Sequence, residues 1–160
     1  MRLIIVAIGR LKKGPEQELV KRYADRIKKS GKAVGLTSVE TIEIPESKAG
    51  DAKTRKLQEA NEIRARLPEK TMVWLFDERG KSVSSPQFSS YVEQCLDQGN
   101  NALSIVIGGP DGLDPNFRRS ADRVLSFGAL TMPHQIVRIL VFEQVYRSVT
   151  ILTNHPYHRE

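Results

Sequence analysis

The three histidines of this chain are the residues best suited to proton transfer near neutral pH, and all of them lie in its last 27 residues. His134 stands at the expected start of a helix, whereas His155 and His158 flank a Pro-Tyr pair in a short polar tail. A correctly placed imidazole can act as a general base. His134 is equally well explained as a structural residue that bonds the backbone. The tail histidines have fewer structural explanations, so we predict that the tail, with Tyr157, contacts a substrate.

A glycine-rich loop at residues 108–112 (Gly-Gly-Pro-Asp-Gly) is the second candidate for chemistry. Glycines remove side chains and let a ligand approach the backbone closely. The loop lacks both the G-x-G-x-x-G spacing of a dinucleotide fold and the lysine of a phosphate-binding loop. It therefore argues against nicotinamide dinucleotides and ATP, and favours a ligand held by backbone groups, such as an adenosine without phosphates. The alternative is an ordinary Gly-Pro-Asp-Gly turn.

Hydrophobic periodicity predicts the elements that must position these residues. Short apolar runs bounded by turn residues predict strands at 2–8, 38–44, 72–76, 103–107 and 124–127. Helices are expected at about 15–29, between Asp51 and Pro68, between Ser85 and Gly99, after Asp114, and from about Pro133. This alternation predicts one α/β domain, residues 1–160, with a mainly parallel sheet and helices on both faces. Ligands in such folds bind beyond the carboxyl ends of the strands.

Composition limits the class of protein. A single cysteine, Cys95, excludes an internal disulfide framework and a cysteine-cluster metal site, and it fits a reducing compartment. The apolar run 3–8 is too short for a secretory signal core, and no run reaches the roughly 18 residues of a membrane span. We therefore expect a cytoplasmic protein without membrane contact and without a metal ion.

Basic residues are concentrated at the start of the chain. Residues 1–32 hold ten lysines and arginines against three acidic residues, a surplus of seven, so the rest of the chain contributes about −1 to the total of +6. Such a patch favours an anionic polymer, because neutralised phosphates release counterions. A solvated helix face without a partner is the alternative. The residues expected to contact nucleic acid are Lys12, Lys13, Lys21, Arg22, Lys28 and Lys29.

Five parts of the sequence form a distinctive set. They are Ile107-Gly-Gly-Pro-Asp-Gly-Leu113, Ser126-Phe-Gly-Ala-Leu-Thr-Met-Pro-His134, Arg138, Glu143-Gln-Val-Tyr-Arg147 and Asn154-His-Pro-Tyr-His158. Together they resemble the ribosomal RNA large subunit methyltransferase H family of small SPOUT-class enzymes. The resemblance implies a homodimer with a C-terminal trefoil knot, which is a rare topology. It also implies methyl transfer from S-adenosylmethionine to N3 of a pseudouridine in 23S (large-subunit) rRNA on the assembled ribosome.

The resemblance also implies a cofactor pocket on the loops after the third, fourth and fifth strands. Phe76 takes the position at the end of the third strand, where relatives often have leucine, and Gly108 is the glycine against which the cofactor lies. The knot loop that wraps the cofactor corresponds to Phe127, Gly128, Ala129, Leu130, Thr131 and Met132. Because Gly128 stands where relatives commonly carry serine, a serine hydroxyl contact would be missing here.

The candidate catalytic residues for this reaction are Arg138, His155, Tyr157 and His158. Methyl transfer to N3 needs in-line approach and removal of the N3 proton, and the sequence does not assign the base. Tyr157 would stack on the target base or hydrogen-bond it. Arg138 lies in an apolar helix, where an unpaired guanidinium is costly. It would clamp RNA phosphate or the pseudouridine carbonyls across a dimer interface, or else form an intersubunit salt bridge.

The last helix favours a dimer. Its apolar residues lie on nearly all sides, which is typical of a helix that is buried all round. A two-fold partner would cover its outer side. Glu143 and Arg147 stand four apart in the favourable order, so a structural ion pair is expected there. Asp111 is expected to stabilise its turn.

Two other functions remain open from the sequence. A non-catalytic rRNA-binding module would explain the basic segment, but it needs neither the glycine loop nor the histidine-bearing tail. A nucleotide-binding oxidoreductase is disfavoured by the missing dinucleotide fingerprint. Saturable binding of S-adenosylmethionine would separate the methyltransferase from both.

Overall fold

The structure, a computed structural model, describes residues 1–158. Arg159 and Glu160, which end the predicted tail, lie outside the described residues. The strands are β1 (Arg2–Ile8), β2 (Ser38–Ile44), β3 (Met72–Ser82), β4 (Ala102–Ile107) and β5 (Arg123–Ser126). The helices are α1 (Pro15–Ser30), α2 (Ala52–Arg66), α3 (Ser85–Asp97), α4 (Pro115–Arg119) and α5 (His134–Leu152), and a short 3-10 helix spans Gly31–Val34.

The five strands form one sheet in the order β2-β1-β4-β3-β5, and every pairing between them is parallel. The parallel register brings the ends of β1, β3 and β4 to one edge: Ala7 lies opposite Ile107, which in turn lies opposite Phe76. The predicted α/β class with a mainly parallel sheet is confirmed. The strand order is also consistent with the knotted topology that the resemblance implies.

Helices cover both faces of the sheet, as predicted. Successive side chains of a strand point to opposite faces. Leu3 and Ile5 of β1 therefore belong to the core cluster that contains Val145 of α5, and this cluster also takes in α1 and α3. Ile4 and Val6 belong to the second cluster, which lies against α2 and α4. Both layers of core are almost completely buried.

Side-chain caps fix where several helices begin. The Asp51 carboxylate accepts a hydrogen bond from the backbone N–H of Thr54 at 2.9 Å, which confirms the predicted cap of α2. The cap of α3 was predicted one residue too late. Ser84 caps this helix in a reciprocal capping box with Gln87, because its hydroxyl reaches the N–H three residues on.

The third strand is longer than its apolar run predicts. Its expected end at Phe76 is followed by an irregularity, after which Lys81 and Ser82 pair with Leu125 and Ser126 of β5. Periodicity missed this second half because residues 77–82 are mostly polar and exposed, with no buried face to show. Gly80 makes the pairing possible, since a Cβ at this position would lie only 2.7 Å from the backbone nitrogen of Leu125.

Candidate functional site

A cavity of about 720 Å³ opens at the carboxyl edge of β3, β4 and β5. Its walls come from the three loops that sequence analysis identified, together with the first turn of α5. Seven of the eight predicted cofactor-binding residues line it: Phe76, Gly108, Phe127, Gly128, Leu130, Thr131 and Met132. Ala129 lies in the same loop but does not line the cavity. Its volume is in the range that small-molecule and cofactor sites occupy.

Two phenylalanines form an apolar wall of this cavity. The rings of Phe76 and Phe127 are stacked with their centroids 4.5 Å apart and their planes 18° from parallel. Phe76 is buried by its neighbours, whereas Phe127 is only half-buried. The stacked pair therefore presents a flat apolar surface, on which a planar ring can pack.

Local hydrogen bonds hold the loop 127–132 in place. The backbone N–H of Gly128 donates to the hydroxyl of Ser126 at 3.0 Å, and that hydroxyl lies 2.7 Å from the carbonyl oxygen of Gly128. The hydroxyl of Thr131 donates to the carboxylate of Glu78 at 3.2 Å. Gly128 has a φ of +122°, a conformation that only glycine adopts easily. Glycine suits this backbone, although relatives are expected to carry serine here.

The glycine loop is closed against a side chain that follows it. A Cβ on Gly108 would lie 2.9 Å from the side chain of Leu113, so this position has no room for a larger residue. The N–H of Gly112 donates to the carbonyl oxygen of Gly109 at 2.9 Å, which makes the predicted turn. The sequence left open whether this loop is an ordinary turn or part of a ligand site. In the structure it forms a turn and also lines the cavity.

Charged residues in the irregular middle of β3 also line the cavity; their segment was expected at this edge from the sequence, but only Phe76 was chosen from it as a site residue. They are Asp77, Glu78 and Arg79, with Arg118 of α4 lying 3.5 Å from the carboxylate of Asp77. Asp77 is nearly buried, with its side chain 9% exposed. The signal was available, because these residues directly follow a buried strand at its carboxyl end. Carboxylates here can bind the positively charged part of a ligand.

Helix α2 ties the glycine loop to the rest of the protein. Arg55 donates two hydrogen bonds to Asp111, at 2.6 and 3.0 Å, and a third to the carbonyl oxygen of Ala49 at 3.0 Å. The hydrogen bond from Arg55 lowers the pKa of Asp111. One turn further on, buried Glu59 accepts the backbone N–H of Ser47 at 2.9 Å, and burial raises the pKa of this carboxyl group. Asp111 thus stabilises its loop, as expected, through a partner that the sequence did not reveal.

His134 lies at the rim of the cavity, in the first turn of α5. Its Nε2 and the Oε1 of Glu46 are each 3.1 Å from the point where a Cβ of Gly9 would stand. Burial lowers the pKa of His134, Glu46 opposes this shift, and Arg138 adds to it. Neutral imidazole is therefore the favoured form near pH 7. From the sequence alone, the two tail histidines were the better candidates for contact with a substrate, and His134 was equally well explained as structural.

Arg138 is buried inside its own chain, with only 1% of the residue exposed. It forms an ion pair with Glu43 of β2 and donates a hydrogen bond to the carbonyl oxygen of Gly9 at 2.8 Å. Its Nε has no partner within residues 1–158. Burial lowers the pKa of this guanidinium, whereas Glu43 raises it. The sequence-based interpretation had sought its partner in RNA or in a second subunit, and the structure pairs it within the chain instead.

The tail folds back along the second half of α5, and none of residues 153–158 lines the cavity of the same chain. The hydroxyl of Tyr157 donates to Glu143 at 3.2 Å and lies 3.4 Å from the hydroxyl of Tyr23, while its ring packs edge-on against Tyr146 at 4.8 Å. Burial raises the pKa of Tyr157 and the hydrogen bond with Tyr23 adds to the shift. Glu143 also pairs with Arg147, as expected. Glu143, which Tyr157 contacts, follows His134 at the cavity rim by nine residues, or about 14 Å of helix.

The tail histidines lie beside this cluster. His155 is exposed, and its Nδ1 accepts the backbone N–H of Tyr157 at 3.1 Å. His158 is half-buried, and its Nδ1 is buried without a hydrogen-bond partner among the described residues. Neither histidine lines the cavity. The predicted site residues therefore form two groups, one in the cavity lining and one in the tail that packs on the second half of α5.

A family model described as "Predicted SPOUT methyltransferase" matches residues 1–158. The chain belongs to the SPOUT methyltransferase family. Three similar proteins are each named ribosomal RNA large subunit methyltransferase H. They come from Allorhizobium ampelinum (54% identical, 99% of each chain covered), Sinorhizobium fredii (50%, 99% of each) and Bradyrhizobium sp. strain ORS 278 (48%, 99% of this chain and 98% of the relative). The full-length match confirms the resemblance inferred from the sequence blocks.

The six basic residues expected to contact nucleic acid are spread along helix α1 and the segment before it in this SPOUT methyltransferase chain. Lys12 and Lys13 follow β1 at the edge that carries the cavity, and Lys28 and Lys29 lie in the last turn of α1, about 24 Å of helix further on. Lys21 and Arg22 lie between them. All six are exposed. The exposed side of α1 thus carries positive charge from the cavity edge to the opposite edge of the sheet.

The outer side of α5 is only partly covered in a single SPOUT methyltransferase chain. Ile136 is 40% exposed, and Ile139, Leu140 and Ile151 are half-buried. These residues share one side of the helix. This is the side that a two-fold partner was expected to cover.

Among residues 1–158, no group of three or more metal-binding side chains comes together. In the same part of the SPOUT methyltransferase chain, no helix is long and apolar enough to cross a membrane.

Proposed function

We propose that this protein is a homodimeric methyltransferase that uses S-adenosylmethionine to methylate N3 of a pseudouridine in 23S large-subunit rRNA on the assembled ribosome. The observation that carries the proposal is the cavity at the carboxyl edge, lined by the same three loops that the family resemblance selects. The names of the similar proteins support large-subunit rRNA as the substrate. A cytoplasmic location follows from that substrate.

The cavity residues fit S-adenosylmethionine in shape and charge. The stacked Phe76 and Phe127 would hold the planar adenine, and Gly108 leaves backbone space against the adenosine. Asp77 and Glu78 would face the positively charged methionine part. The loop 127–132 would close over the cofactor. When bound, S-adenosylmethionine supplies an electrophilic methyl group, so the chain's own task is to orient the target nitrogen and to accept its proton.

A dimer would unite the two separated groups of site residues. Tyr157 and the tail histidines do not line the cavity of their own chain. A two-fold partner packed on the outer side of α5 would cover Ile136 and Leu140. In that arrangement each site takes its cofactor cavity from one subunit and its tail from the other. Arg138, buried beneath the cavity rim, acts as a positioning residue because it holds Glu43 and the Gly9 carbonyl.

The exposed basic side of α1 would grip ribosomal RNA. Reversing the charge at Lys28 and Lys29 should weaken ribosome binding and lower the salt dependence by about 2 in the log–log slope, if both residues contact phosphate. Binding of S-adenosylmethionine should be unchanged, since both residues lie at the far end of α1 from the cavity edge. A non-catalytic rRNA-binding module would give the same ribosome result, and it would bind no S-adenosylmethionine.

The deciding experiment is a methyl-transfer assay on ribosomes from a strain that lacks this modification. The products are digested to nucleosides and resolved by mass spectrometry. We expect methylated pseudouridine with the full-length protein and none with a protein truncated before Tyr157, although both should bind S-adenosylmethionine. Binding of S-adenosylmethionine without any methylation of ribosomes would refute the proposal that ribosomal RNA is the substrate. Absence of both would favour the rRNA-binding module.

Subunit mixing tests the shared site. A cavity variant, Gly108→Leu, and the tail truncation should each be inactive as pure dimers. Random two-fold pairing of equal amounts should restore about a quarter of the full activity, because half of the dimers are mixed and each has one intact site. A mixture that stays inactive would show that cavity and tail must come from the same chain.

A further inference from the structure

The imidazole of His134 is held at the cavity rim with both nitrogens free. Within residues 1–158 neither ring nitrogen makes a hydrogen bond, although the residue is only half-exposed. The backbone of this residue is helical, because His134 is the first residue of α5 and Pro133 is its N-cap. The N–H groups of Ile136 and Val137 donate to the carbonyl oxygen of Pro133 at 2.9 and 3.1 Å. A free lone pair on a rigid element is what a general base requires.

The surroundings of His134 favour a proton acceptor that is neutral before the reaction. The groups packed against it are Glu46 from the loop after β2 and Arg138 from the next turn of its own helix. Arg138 is itself paired with Glu43, so much of its charge is compensated. The other ionisable groups in the cavity lining are Lys56, Asp77, Glu78, Arg79, Asp111 and Arg118. Glu46 is thus the nearby carboxylate that can stabilise an imidazolium when it forms.

Gly9 keeps this pair of side chains together. Its φ of +85° lies in the left-handed region, and a Cβ there would come within 3.1 Å of both Glu46 and His134. The absence of a side chain at Gly9 leaves the space between carboxylate and imidazole open. The carbonyl oxygen of Gly9 is in turn fixed by Arg138 at 2.8 Å. Gly9 and Glu46, from the loops after β1 and β2, therefore form one cluster with His134 and Arg138 of α5.

We propose that His134, supported by Glu46, is the general base of the reaction, an inference that rests on the methyltransferase function proposed above. The N3–H proton of the pseudouridine passes to Nε2 of His134. The N3 electron pair forms the new N–CH3 bond as the S–CH3 bond breaks. The electron pair of the broken S–CH3 bond stays on sulfur, which gives S-adenosylhomocysteine. The proton on the imidazolium leaves to solvent at the half-exposed rim.

The tail histidines are poorer acceptors in the geometry of this chain. Because Nδ1 of His155 accepts the Tyr157 N–H, a neutral His155 carries its proton on Nε2 and can donate but not accept. Nδ1 of His158 is buried, so only its Nε2 could accept a proton from a substrate. The tail then serves to place the target base, and the proton goes to the cavity side.

The first test compares single-turnover rates on ribosomes for the wild type, His134→Asn and Glu46→Gln. Loss of a general base lowers the rate by about 10²–10⁴-fold. We expect that loss for His134→Asn, a smaller loss for Glu46→Gln, and unchanged S-adenosylmethionine affinity by calorimetry for both. Glu69→Gln, an exposed carboxylate at the opposite edge of the sheet, is the matched control and should retain full rate.

The pH dependence separates a base from a structural residue. The wild-type rate should rise as His134 loses its proton, below the ordinary histidine value of 6.5, and then level off. The rate of His134→Asn should not show this rise. It should recover at alkaline pH, where the N3–H ionises without a base from the protein. A variant whose rate falls equally at all pH values, or whose cofactor affinity falls in parallel, would overturn the assignment.

Titration by NMR gives a readout that needs no activity. The imidazole signal absent from His134→Asn identifies the residue in the wild-type protein. Its pKa should lie below 6.5 and fall further in Glu46→Gln, because the carboxylate stabilises the imidazolium. An unchanged pKa in Glu46→Gln would refute the supporting role of Glu46. If the wild type itself methylates no pseudouridine, the proposed function is wrong. Full activity of His134→Asn at neutral pH would refute only the assignment of His134 as the general base.

Discussion

Arg55 and Asp111 join helix α2 to the glycine loop through two hydrogen bonds, Nε to Oδ2 at 2.6 Å and Nη2 to Oδ1 at 3.0 Å. The two residues are 56 positions apart in sequence. Their side chains are about one-quarter exposed, so solvent screens part of the attraction. The two-pronged geometry nevertheless restricts the orientation of the loop that forms one wall of the cavity.

Arg55→Ala should weaken binding of S-adenosylmethionine by up to about fivefold, the range of a screened ion pair. The loop keeps its turn but loses the contact that orients it. Asp111→Asn should behave alike, and the double variant should be no worse than Arg55→Ala, because both changes remove the same interaction. Calorimetric titration measures the three affinities. Lys53→Ala, exposed on the same helix, serves as the control, and additive losses would refute the coupling.

Gly80→Ala should break the second half of the β3–β5 pairing. The added methyl group would lie 2.7 Å from the Leu125 nitrogen and closer still to its carbonyl group, all of it backbone that cannot rotate away. We expect a loss of about 3 kcal/mol in the free energy of unfolding, at the upper end of overpacking effects. Urea unfolding followed by circular dichroism measures it.

Gly50→Ala is the matched control for this prediction. No atom lies within 4 Å of its added Cβ, so the change should stay within about 0.5 kcal/mol. Equal stability of the two variants would mean that β3 and β5 separate easily beyond Phe76. The prediction concerns stability, but the cavity should follow, because Glu78 and Phe127 lie on the two sides of this pairing.

The location of the cavity could be predicted from the sequence because local signals and a topological rule coincide. Apolar runs fixed three parallel strands, and the loops that follow them must meet at one edge. Phe76, Gly108 and Phe127 were therefore correctly expected to lie together. The segment with Asp77 and Glu78 was also expected at this edge, but neither residue was assigned a role, because a polar run without periodicity gives no signal of pairing or burial.

The site contacts that could not be predicted from the sequence are those between residues far apart in the chain. Arg138 finds Glu43 across 95 positions, and nothing local marks that carboxylate among 19 acidic residues. The packing of Tyr157 on Tyr23, 134 positions away in sequence, could not be predicted either. His134 was ranked behind the tail histidines because its neighbours Glu46 and Gly9 come from distant strands.

The buried Glu59 predicts a variant that is more stable than the wild type at neutral pH. Burial raises the pKa of this group above its ordinary value of 4.5, so the folded protein prefers the protonated form. The stability that Glu59 contributes is fully present below pH 4.5 and is lost as the pH rises through the raised pKa. Glu59→Gln keeps an acceptor for the Ser47 N–H and removes the buried charge.

The melting temperature of Glu59→Gln should therefore exceed that of the wild type at pH 7, and the difference should shrink towards pH 4. Scanning calorimetry at four or five pH values measures the trend. Glu93→Gln, exposed on α3, should show no such pH-dependent gain. A variant that is less stable at pH 7 would mean that the charge of Glu59, balanced by Arg55, contributes more than its burial costs.

Replacing Arg138 tests how far a buried ion pair supports the cavity rim. Arg138→Met should lower the free energy of unfolding by about 2–4 kcal/mol, since it leaves the Gly9 carbonyl unpaired and Glu43 without its partner. The loss stays below the full range for buried pairs because Glu43 is 32% exposed and can be rehydrated. Urea midpoints at constant slope measure the change.

Arg66→Met is the matched control, because Arg66 also pairs with a glutamate but both side chains are largely exposed. Such a surface pair contributes about 0–1 kcal/mol. Adding Glu43→Leu to Arg138→Met should recover part of the loss, since an apolar pair needs no compensating charge. If Arg138→Met costs no more than Arg66→Met, the guanidinium does not stabilise the fold. Its burial beneath His134 would then have to be explained by the reaction alone.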